Sequence, residues 1–323
     1  MSPPVLAIYT EGDAFRGMGH LSRCGGYAEA WRERGGHVRW VVDGDGLARR
    51  TLSVVKDEVA WRTWQEDLEP DHADAVLIDS YTVSKAVVAK IAKSSRVTAC
   101  VDDLFRTVYP GEVTVVHGAP GPLPDSLEGN WLTGPEWHPM RRAFWEGRVR
   151  HYESQKVRRC LILAGGVDSR GVIPTLAKAA LACLPAVRLD IVGGSTEVWL
   201  DHKSADIRVH PHLSAEEMRD LMTASDLAIS AAGQTIYELA RCGCPAVLVG
   251  IAENQRRHIE HWPEVGSAVS AGWWTDPALS EKIERHIRAL CSERRRAMST
   301  AGQRVVDGQG CRRLVQLMEH PLG

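Results

Sequence analysis

The sequence predicts an α/β protein built from two doubly wound domains, and three observations support this. Short apolar runs of strand character alternate with helix-type segments along most of the 323 residues. A chain of this length is longer than one hydrophobic core usually serves. The alternation breaks in a charged, aromatic segment at about 131–155 and then starts again. We therefore expect domains at 1–155 and 156–323, with the last helix able to pack back on the first domain.

The first domain should open with a buried strand at 5–9, because VLAIY is an uninterrupted apolar run. A glycine-containing loop follows, and a helix should run from about His20 to the Gly35-Gly36 pair. Its other strands are expected at 37–42, 59–61, 75–78, 97–101 and 113–116, and its other helices near 47 and at 84–93. This alternation favours a mostly parallel sheet that is covered by helices on both faces.

The second domain repeats the pattern. Ser214 with Glu217 three residues later has the spacing of a capping box, which predicts the start of a helix at 215–224. The other elements are expected as strands at 159–163, 189–192, 209, 227–229, 246–249 and 268–269, helices at 172–183 and 234–241, and two or three helices at the end. Ligands of open α/β sheets bind at the carboxyl ends of the strands, so we expect a small-molecule site in a cleft between the domains.

Composition narrows the classes of function. The apolar content of 44% and charged content of 25% are ordinary globular values. A net charge of −2 gives no basic surface for nucleic acid, and no apolar run approaches the ~18 residues of a membrane span. The amino terminus lacks the pattern of a signal peptide, and the eight cysteines form no CxxC pairs. We therefore expect a cytoplasmic protein without nucleic-acid partners.

Residues 227–255 contain the best candidate for a phosphate site. The strand at 227–229 leads through small residues into the helix at 234–241, and a helix start offers free N–H groups and a partial positive charge. Glu238, in the first turns of that helix, could accept hydrogen bonds from ribose hydroxyls, or it could be a solvated carboxylate. The candidate contacts of this turn are Ala232, Gly233, Gln234 and Thr235, and those of two other strand ends are the glycine pairs Gly165-Gly166 and Gly193-Gly194.

The stretch GMGHLSRC, residues 17–24, contains the candidate base. Gly17 and Gly19 permit a sharp turn, and His20 then stands at a helix start, where the dipole disfavours the imidazolium. A neutral imidazole that faces a cleft can take a proton from water. The alternative is a histidine that caps the helix or packs in the core. Arg23 of the same stretch is a candidate substrate contact.

Polar side chains follow several other strands. Asp79 and Tyr81 come at the end of the strand at 75–78, and Glu253, Asn254 and Gln255 follow the strand at 246–249. A phenol at such an edge can contact a sugar hydroxyl or position a water, or it can simply lie at an interface. Three further sets of polar residues have structural explanations. Asp102-Asp103 is expected to be structural or sugar-contacting, and Asp43-Gly44-Asp45 is expected to form a turn rather than a metal motif. The histidine pairs His210/His212 and His258/His261 could be metal pairs, but His258/His261 has no identifiable third ligand. We expect no metal and no cofactor.

The stretches together resemble a known family, the UDP-2,4-diacetamido-2,4,6-trideoxy-β-L-altropyranose hydrolases of pseudaminic acid biosynthesis. The matching pieces lie in the family's order over about 5–260: GMGHLSRC, VLIDSY, VDDL, LTGPEWHPMRRAF, LILAGGVD and LSAEEMRDLMTASDLAISAAGQTIYELARCGCPAVLVGIAENQ. More distantly, the second half resembles the N-acetylglucosaminyltransferase that makes lipid II. The sequence departs from the hydrolase pattern at Glu11, Arg16, Val167 and Ala232. These departures bear on the sugar specificity more than on the fold.

This resemblance implies the GT-B superfamily, with two Rossmann-like domains. It implies His20 as the base that activates water, Tyr81 and Asn254 in the active site, and the nucleotide near Gly165, the Gly233 turn and Glu238. Because UDP is a good leaving group, one base suffices where an ordinary glycosidase needs two carboxylates.

We therefore expect a hydrolase that releases UDP and a free deoxy-diacetamido sugar with inversion at the anomeric carbon. The alternatives are a UDP-sugar-dependent GT-B glycosyltransferase and a non-catalytic nucleotide-sugar binding protein. A monomer would suffice for such a site.

Overall fold

A computed structural model describes residues 3–125, 127–146, 156–165, 168, 170–193, 206–210 and 213–319. The chain forms two compact units: Met1–Arg142 with Gly308–Gly323, and Ala143–Asp307. The division falls at 142/143, where we had expected it near 155, and the last sixteen residues, 308–323, belong to the first unit. Within the described ranges, no helix is long and apolar enough to cross a membrane.

The first unit is a parallel sheet with helices packed against it. Its described strands are β1 (Val5–Gly12), β2 (His37–Gly44), β3 (Glu58–Trp61), β4 (Ala73–Asp79), β5 (Ser95–Val101), β6 (Val113–His117) and β7 (Asn130–Thr133), and its described helices are α1 (Gly19–Glu33), α2 (Gly46–Leu52), α3 (Lys85–Ser94) and a C-terminal helix at Gly310–Glu319. All of β1 except Val5 is buried, as expected of a strand covered on both faces.

The second unit has the same design. Its described strands are β8 (Arg159–Leu163), β9 (Arg188–Val192), β10 (Asp206–His210), β11 (Leu227–Ala231), β12 (Ala246–Gly250) and β13 (Ala268–Trp273). Its described helices are α4 (Ile173–Cys183), α5 (Ala215–Ala224), α6 (Thr235–Arg241), α7 (Arg256–Val265), α8 (Leu279–Ala289) and α9 (Ser292–Val305), so the C-terminal helix of the first unit is α10. The predicted capping box of Ser214 and Glu217 is formed at the start of α5.

Strand order places one crevice in each sheet. The first sheet runs β3-β2-β1-β4-β5-β6-β7 and the second β10-β9-β8-β11-β12-β13, with parallel pairs throughout the described strands. The chain therefore reverses its direction of winding between β1 and β4, and again between β8 and β11. In doubly wound sheets, ligands bind outside the carboxyl ends of the strands at this reversal. The loops after these four strands therefore border the two crevices.

The predicted fold class is confirmed, and several elements have bounds that differ from expectation. β1 continues to Gly12, beyond the expected end at residue 9, so that Glu11 lies within the strand. Asn130–Thr133 forms a seventh strand paired with β6, where we had expected the pattern to break. Helix α7 was not among the expected elements; it runs from Arg256 to Val265 and has Pro263 inside it.

Candidate functional site

His20 lies at the crevice of the first unit, in the first turn of α1 beyond the end of β1. Its Nδ1 is 2.7 Å from Oδ1 of Asp79, the last residue of β4. Because that oxygen belongs to a carboxylate, Nδ1 carries the proton and donates it. The Nε2 atom then presents its lone pair, and no described residue hydrogen-bonds to it. His20 is 3% exposed, in polar rather than hydrophobic surroundings.

Arg23, one turn further along α1, holds the carboxylate in place. Its Nε and Nη2 each lie 2.5 Å from an oxygen of Asp79, and its Nη1 donates to Asp103. Burial acts to raise the pKa of Asp79, but the charges of Arg23 and His20 outweigh it and lower the pKa to about 2. The same balance of burial against Arg23 lowers the pKa of Asp103. Asp79 is therefore ionised and able to stabilise a protonated His20.

Tyr81 follows β4 directly after this pair. Its ring packs edge-on against the imidazole of His20, with centroids 4.3 Å apart, and its hydroxyl donates to Asp103 at 3.3 Å. The edge of an aromatic ring excludes water from one side of the imidazole without competing for its nitrogens. The structure thus brings together His20, Arg23, Asp79 and Tyr81, all of which the sequence analysis had selected.

Glu11 organises the neighbouring loop, a role that the sequence analysis did not assign. Its fully buried carboxylate accepts hydrogen bonds from the Ser80 hydroxyl at 2.7 Å, the Tyr81 N–H at 2.8 Å and the Thr82 hydroxyl at 2.8 Å. Burial acts to raise the pKa of Glu11, but these donors and Gln65 lower it. Glu11 therefore fixes the backbone from which Tyr81 projects.

The β1–α1 loop that carries Gly17 is closed on itself. Gly17 has a φ of +82°, in the left-handed region, and its N–H donates to the Asp13 carbonyl at 2.8 Å. Arg16 joins this loop to β2 through Asp43, with Nη1 3.0 Å from Oδ2. At Gly17 and Gly19 an added Cβ would contact nothing within 4 Å, so the space beside both residues is open.

The crevice of the second unit contains the turn between β11 and α6. The backbone N–H groups of Gly233, Gln234 and Thr235 have no acceptor in the described part of the chain. The buried Oε1 of Gln234, an acceptor, has no donor there. Ala232 differs, because its N–H donates to the Val249 carbonyl. Helix α6 begins at Thr235 and has seven residues. Three consecutive free donors suit the oxygens of a phosphate group.

Two side chains from the segment after β12 support this turn. His258 of α7 is buried, with Nδ1 2.7 Å from the Ala232 carbonyl and Nε2 2.9 Å from the Tyr237 hydroxyl. Gln255 uses its Oε1 to accept the Ile251 N–H at 2.9 Å, and its Nε2 lies beside Gly233. His258 was considered as a metal ligand, but both of its ring nitrogens are hydrogen-bonded here.

The remaining predicted contacts of the second unit are more exposed. Gly165, after β8, has a φ of +89° and is exposed, whereas its partner Gly166 lies outside the described residues, as does Gly194. Glu253 is engaged with Arg256 at 2.6 Å, and Asn254 beside it is exposed. Glu238 is partly exposed in the first turn of α6. The roles assigned to these residues stay predictions.

The acidic pairs weighed as metal or sugar ligands have structural partners. Asp45 caps α2 by accepting the N–H groups of Leu47 and Ala48, as expected for a turn-forming aspartate. Asp102 is fully buried and accepts hydrogen bonds from its own loop. Throughout the described ranges, no group of three or more His, Cys, Asp or Glu side chains could hold a metal ion.

Comparisons with known proteins agree with the observed architecture. Residues 192–310 match the glycosyltransferase family 28 C-terminal domain. The spore coat polysaccharide biosynthesis protein SpsG of Bacillus subtilis (strain 168) is 21% identical over 97% of both chains. The crystal structure of MurG from Acinetobacter baumannii superposes with a TM-score of 0.69 at 16% identity, covering 98% of this chain and 99% of that one. The spinosyn forosaminyltransferase SpnP gives 0.66 at 13% identity, covering 99% and 100%.

The chain has the GT-B fold. Its two Rossmann-like parallel sheets match the architecture of these glycosyltransferase structures over nearly the whole length. At these identities the likeness concerns the fold, and the chemistry has to be argued from the residues at the two crevices.

Proposed function

We propose that the protein is an enzyme of glycosyltransferase type that takes its sugar from a nucleoside diphosphate sugar, with His20 as the catalytic base. The observation that carries the proposal is the state of the imidazole: Nδ1 is fixed on Asp79 at 2.7 Å, and Nε2 has no hydrogen-bond partner in the described residues. A base oriented by a buried carboxylate is the arrangement that activates hydroxyl nucleophiles in other enzymes.

The reaction that follows from this assignment is a single displacement. The oxygen of the nucleophile forms a bond to the anomeric carbon as its proton passes to Nε2 of His20. The bond from the anomeric carbon to the diphosphate oxygen breaks, and its electron pair leaves with the nucleoside diphosphate. The configuration inverts. Asp79, ionised and 2.7 Å from Nδ1, stabilises the imidazolium that forms.

The nucleotide is assigned to the second unit. Support comes from the three N–H groups at 233–235 that lack acceptors in the described part of the chain, and from their position at the β8/β11 reversal. Uridine as the base rests on the sequence resemblance alone. Because a diphosphate leaves readily once its charge is stabilised, the proposal needs no second carboxylate as a general acid.

The nucleophile is proposed to be a hydroxyl of an acceptor molecule, as in the enzymes whose fold the chain shares. Hydrolysis, with water in the same place, is the second candidate. The observation in its favour is the 3% exposure of His20, since Tyr81 and Asp79 leave little of the imidazole for a bulky acceptor to approach. The same base serves both reactions, so the geometry at His20 does not separate them.

The test is a panel of nucleoside diphosphate sugars incubated with the protein, with and without candidate acceptors, in ¹⁸O-labelled water. Transfer gives acceptor-dependent release of the nucleoside diphosphate and no label in free sugar. Hydrolysis gives acceptor-independent release with one ¹⁸O at the anomeric carbon. The variant His20→Asn should lower the rate by roughly 10²–10⁴-fold while leaving UDP affinity unchanged. Wild-type protein that binds UDP but turns over no sugar in either condition would refute the enzymatic proposal.

A further inference from the structure

The loop after β5 holds one arginine, Arg106, in a fixed orientation. Asp102 at the base of the loop is fully buried. Its two oxygens accept the backbone N–H of Arg106 at 2.9 Å and the side-chain Nε at 3.3 Å. Leu104 and the hydroxyl of Tyr109 donate to the same carboxylate, at 2.8 and 2.9 Å. Both ends of the Arg106 residue are thus tied to one buried group, and the guanidinium has little freedom to turn.

The backbone of this loop is strained at the residue before Arg106. Phe105 has a φ of +53°, an uncommon conformation for a residue with a bulky side chain. Its ring is held between His117, with centroids 4.1 Å apart, and Trp131 at 5.3 Å. Strain of this kind persists where the surroundings over-determine the conformation, and it is concentrated at ligand sites. The loop is therefore kept in the one shape that directs Arg106.

The guanidinium lies over Tyr81, the residue that packs against the candidate base. The Cζ atom of Arg106 lies 5.2 Å from the centroid of the Tyr81 ring, and Tyr81 in turn packs edge-on against His20. The side chain is 18% exposed. Its terminal nitrogens Nη1 and Nη2 donate to no residue in the part of the chain that the structure describes. A guanidinium that is oriented and shielded, yet has its outer donors free, is arranged to bind a ligand.

We propose that Arg106 binds an uncharged oxygen of the donor sugar, a hydroxyl or an amide carbonyl, and so helps to select the sugar. The inference rests on the proposed function. The charge of the cluster decides the kind of group. The cluster contains two guanidiniums and three carboxylates. The guanidiniums are those of Arg23 and Arg106, and the carboxylates are those of Asp79, Asp102 and Asp103. This surplus of negative charge repels a carboxylate or phosphate, while the free N–H groups still seek an acceptor.

The experiment compares binding of UDP with binding of UDP-glucose, UDP-N-acetylglucosamine and UDP-glucuronic acid by calorimetry, in wild type, Arg106→Ala and Arg106→Lys. The quantity measured is the affinity gained by adding the sugar to UDP. Arg49→Ala is the matched control, because Arg49 also stacks on an aromatic ring, Trp61 at 4.4 Å, in the separate helix α2.

Wild type should gain affinity from at least one uncharged sugar and none from the glucuronate. In Arg106→Ala, the affinity gained from the sugar should be about tenfold smaller than in wild type. In Arg106→Lys the decrease should be smaller, since a lysine keeps a positively charged donor but lacks the paired N–H groups of a guanidinium. UDP affinity and the Arg49→Ala control should be unchanged.

Three outcomes would overturn the inference: an unchanged sugar gain in Arg106→Ala, an equal loss for UDP alone, or a wild-type preference for the glucuronate that the variant abolishes. If wild type is active and Arg106→Ala has the same affinity gain from the sugar, only the role of Arg106 is refuted. A wild type that neither binds UDP nor turns over any donor removes the proposed function, and this inference with it.

Discussion

Replacing Asp79 by asparagine tests the assignment of the base without removing the imidazole. In the native chain, Oδ1 of Asp79 faces Nδ1 of His20 at 2.7 Å and Nη2 of Arg23 at 2.5 Å, while Oδ2 faces Nε of Arg23 at 2.5 Å. An asparagine must put its NH₂ group at one of these two positions. At the first, it donates to Nδ1, which forces the proton of the imidazole onto Nε2, and it also faces the Nη2–H of Arg23. At the second, it directs a donor at the Nε–H of Arg23.

The size of the effect follows from these two orientations. With the proton on Nε2, His20 cannot accept one from the nucleophile, and an equivalent change of tautomer in a serine protease triad lowers kcat by about 10⁴-fold. The other orientation keeps the tautomer but removes the charge that stabilises the imidazolium. We therefore expect a loss of roughly 10²–10⁴-fold in kcat/KM. Arg23 keeps Asp103, so the loss of folding free energy should stay below about 3 kcal/mol.

The assay is the release of nucleoside diphosphate under kcat/KM conditions between pH 5 and 9, with UDP affinity and circular dichroism measured on the same samples. Cys24→Ala is the matched control. Its thiol also contacts Asp79, at 3.6 Å, but it makes no hydrogen bond to the imidazole. The control should remain within a few-fold of wild type. If Asp79→Asn is folded, binds UDP normally and keeps kcat/KM within fivefold of wild type, His20 is not acting as a base oriented by Asp79.

Three other predictions concern stability and nucleotide binding. Because the pKa of Asp79 falls from 3.8 to about 2 on folding, its charge stabilises the folded chain fully above about pH 4 and loses that effect as the pH falls through 2. Urea unfolding of wild type should therefore lose about 2 kcal/mol more than Asp79→Asn across this window, and equal losses would contradict it. Gly25→Ala should raise the melting temperature, since its Cβ would contact nothing within 4 Å. Gly26→Ala should lower it, because its Cβ would press on the Met140 carbonyl oxygen and, at 2.8 Å, on Cys311 Sγ; the reverse order would refute the packing of α1 against these two residues. Gly233→Ala meets its nearest side-chain atom at an ordinary 3.6 Å and should fold normally, yet weaken UDP binding by about tenfold in calorimetry; unchanged affinity would move the nucleotide elsewhere.

The fold could be read from the sequence because buried parallel strands are short, apolar and evenly spaced. β8 and α5 were predicted with the bounds that the structure gives. β7 was missed because Asn130–Thr133 has only two apolar residues, Trp131 and Leu132, and no buried residue. The extension of β1 to Gly12 was missed for a related reason, since Glu11 is charged and interrupts the apolar run although it is fully buried. Composition cannot show that the carboxylate of Glu11 will find five hydrogen-bond donors.

The candidate site was predictable in its members but not in its connections. His20, Arg23, Asp79 and Tyr81 all stand at positions that a sequence reading can select, namely strand ends and a helix start. The hydrogen bonds from His20 and Arg23 to Asp79 create the site, and they join residues 56 to 59 positions apart along the chain. Arg106 carried no signal of its own, because its orientation depends on a buried aspartate and on a strained backbone.

Stability alone does not account for the charged cluster of the first unit. A buried network of guanidinium and carboxylate groups gives little net stability, because the desolvation of the charges offsets their attraction. An apolar cluster of the same volume would stabilise the fold at least as well. The buried charges are therefore explained by function and not by stability. In this network, Asp79 and Asp103 are satisfied by Arg23, whereas Nε2 of His20 lacks a partner among the described residues. Among the linked side chains of His20, Arg23, Asp79 and Asp103, Nε2 is therefore a basic nitrogen left open at the point where the winding of the chain reverses, as proton transfer to that nitrogen requires.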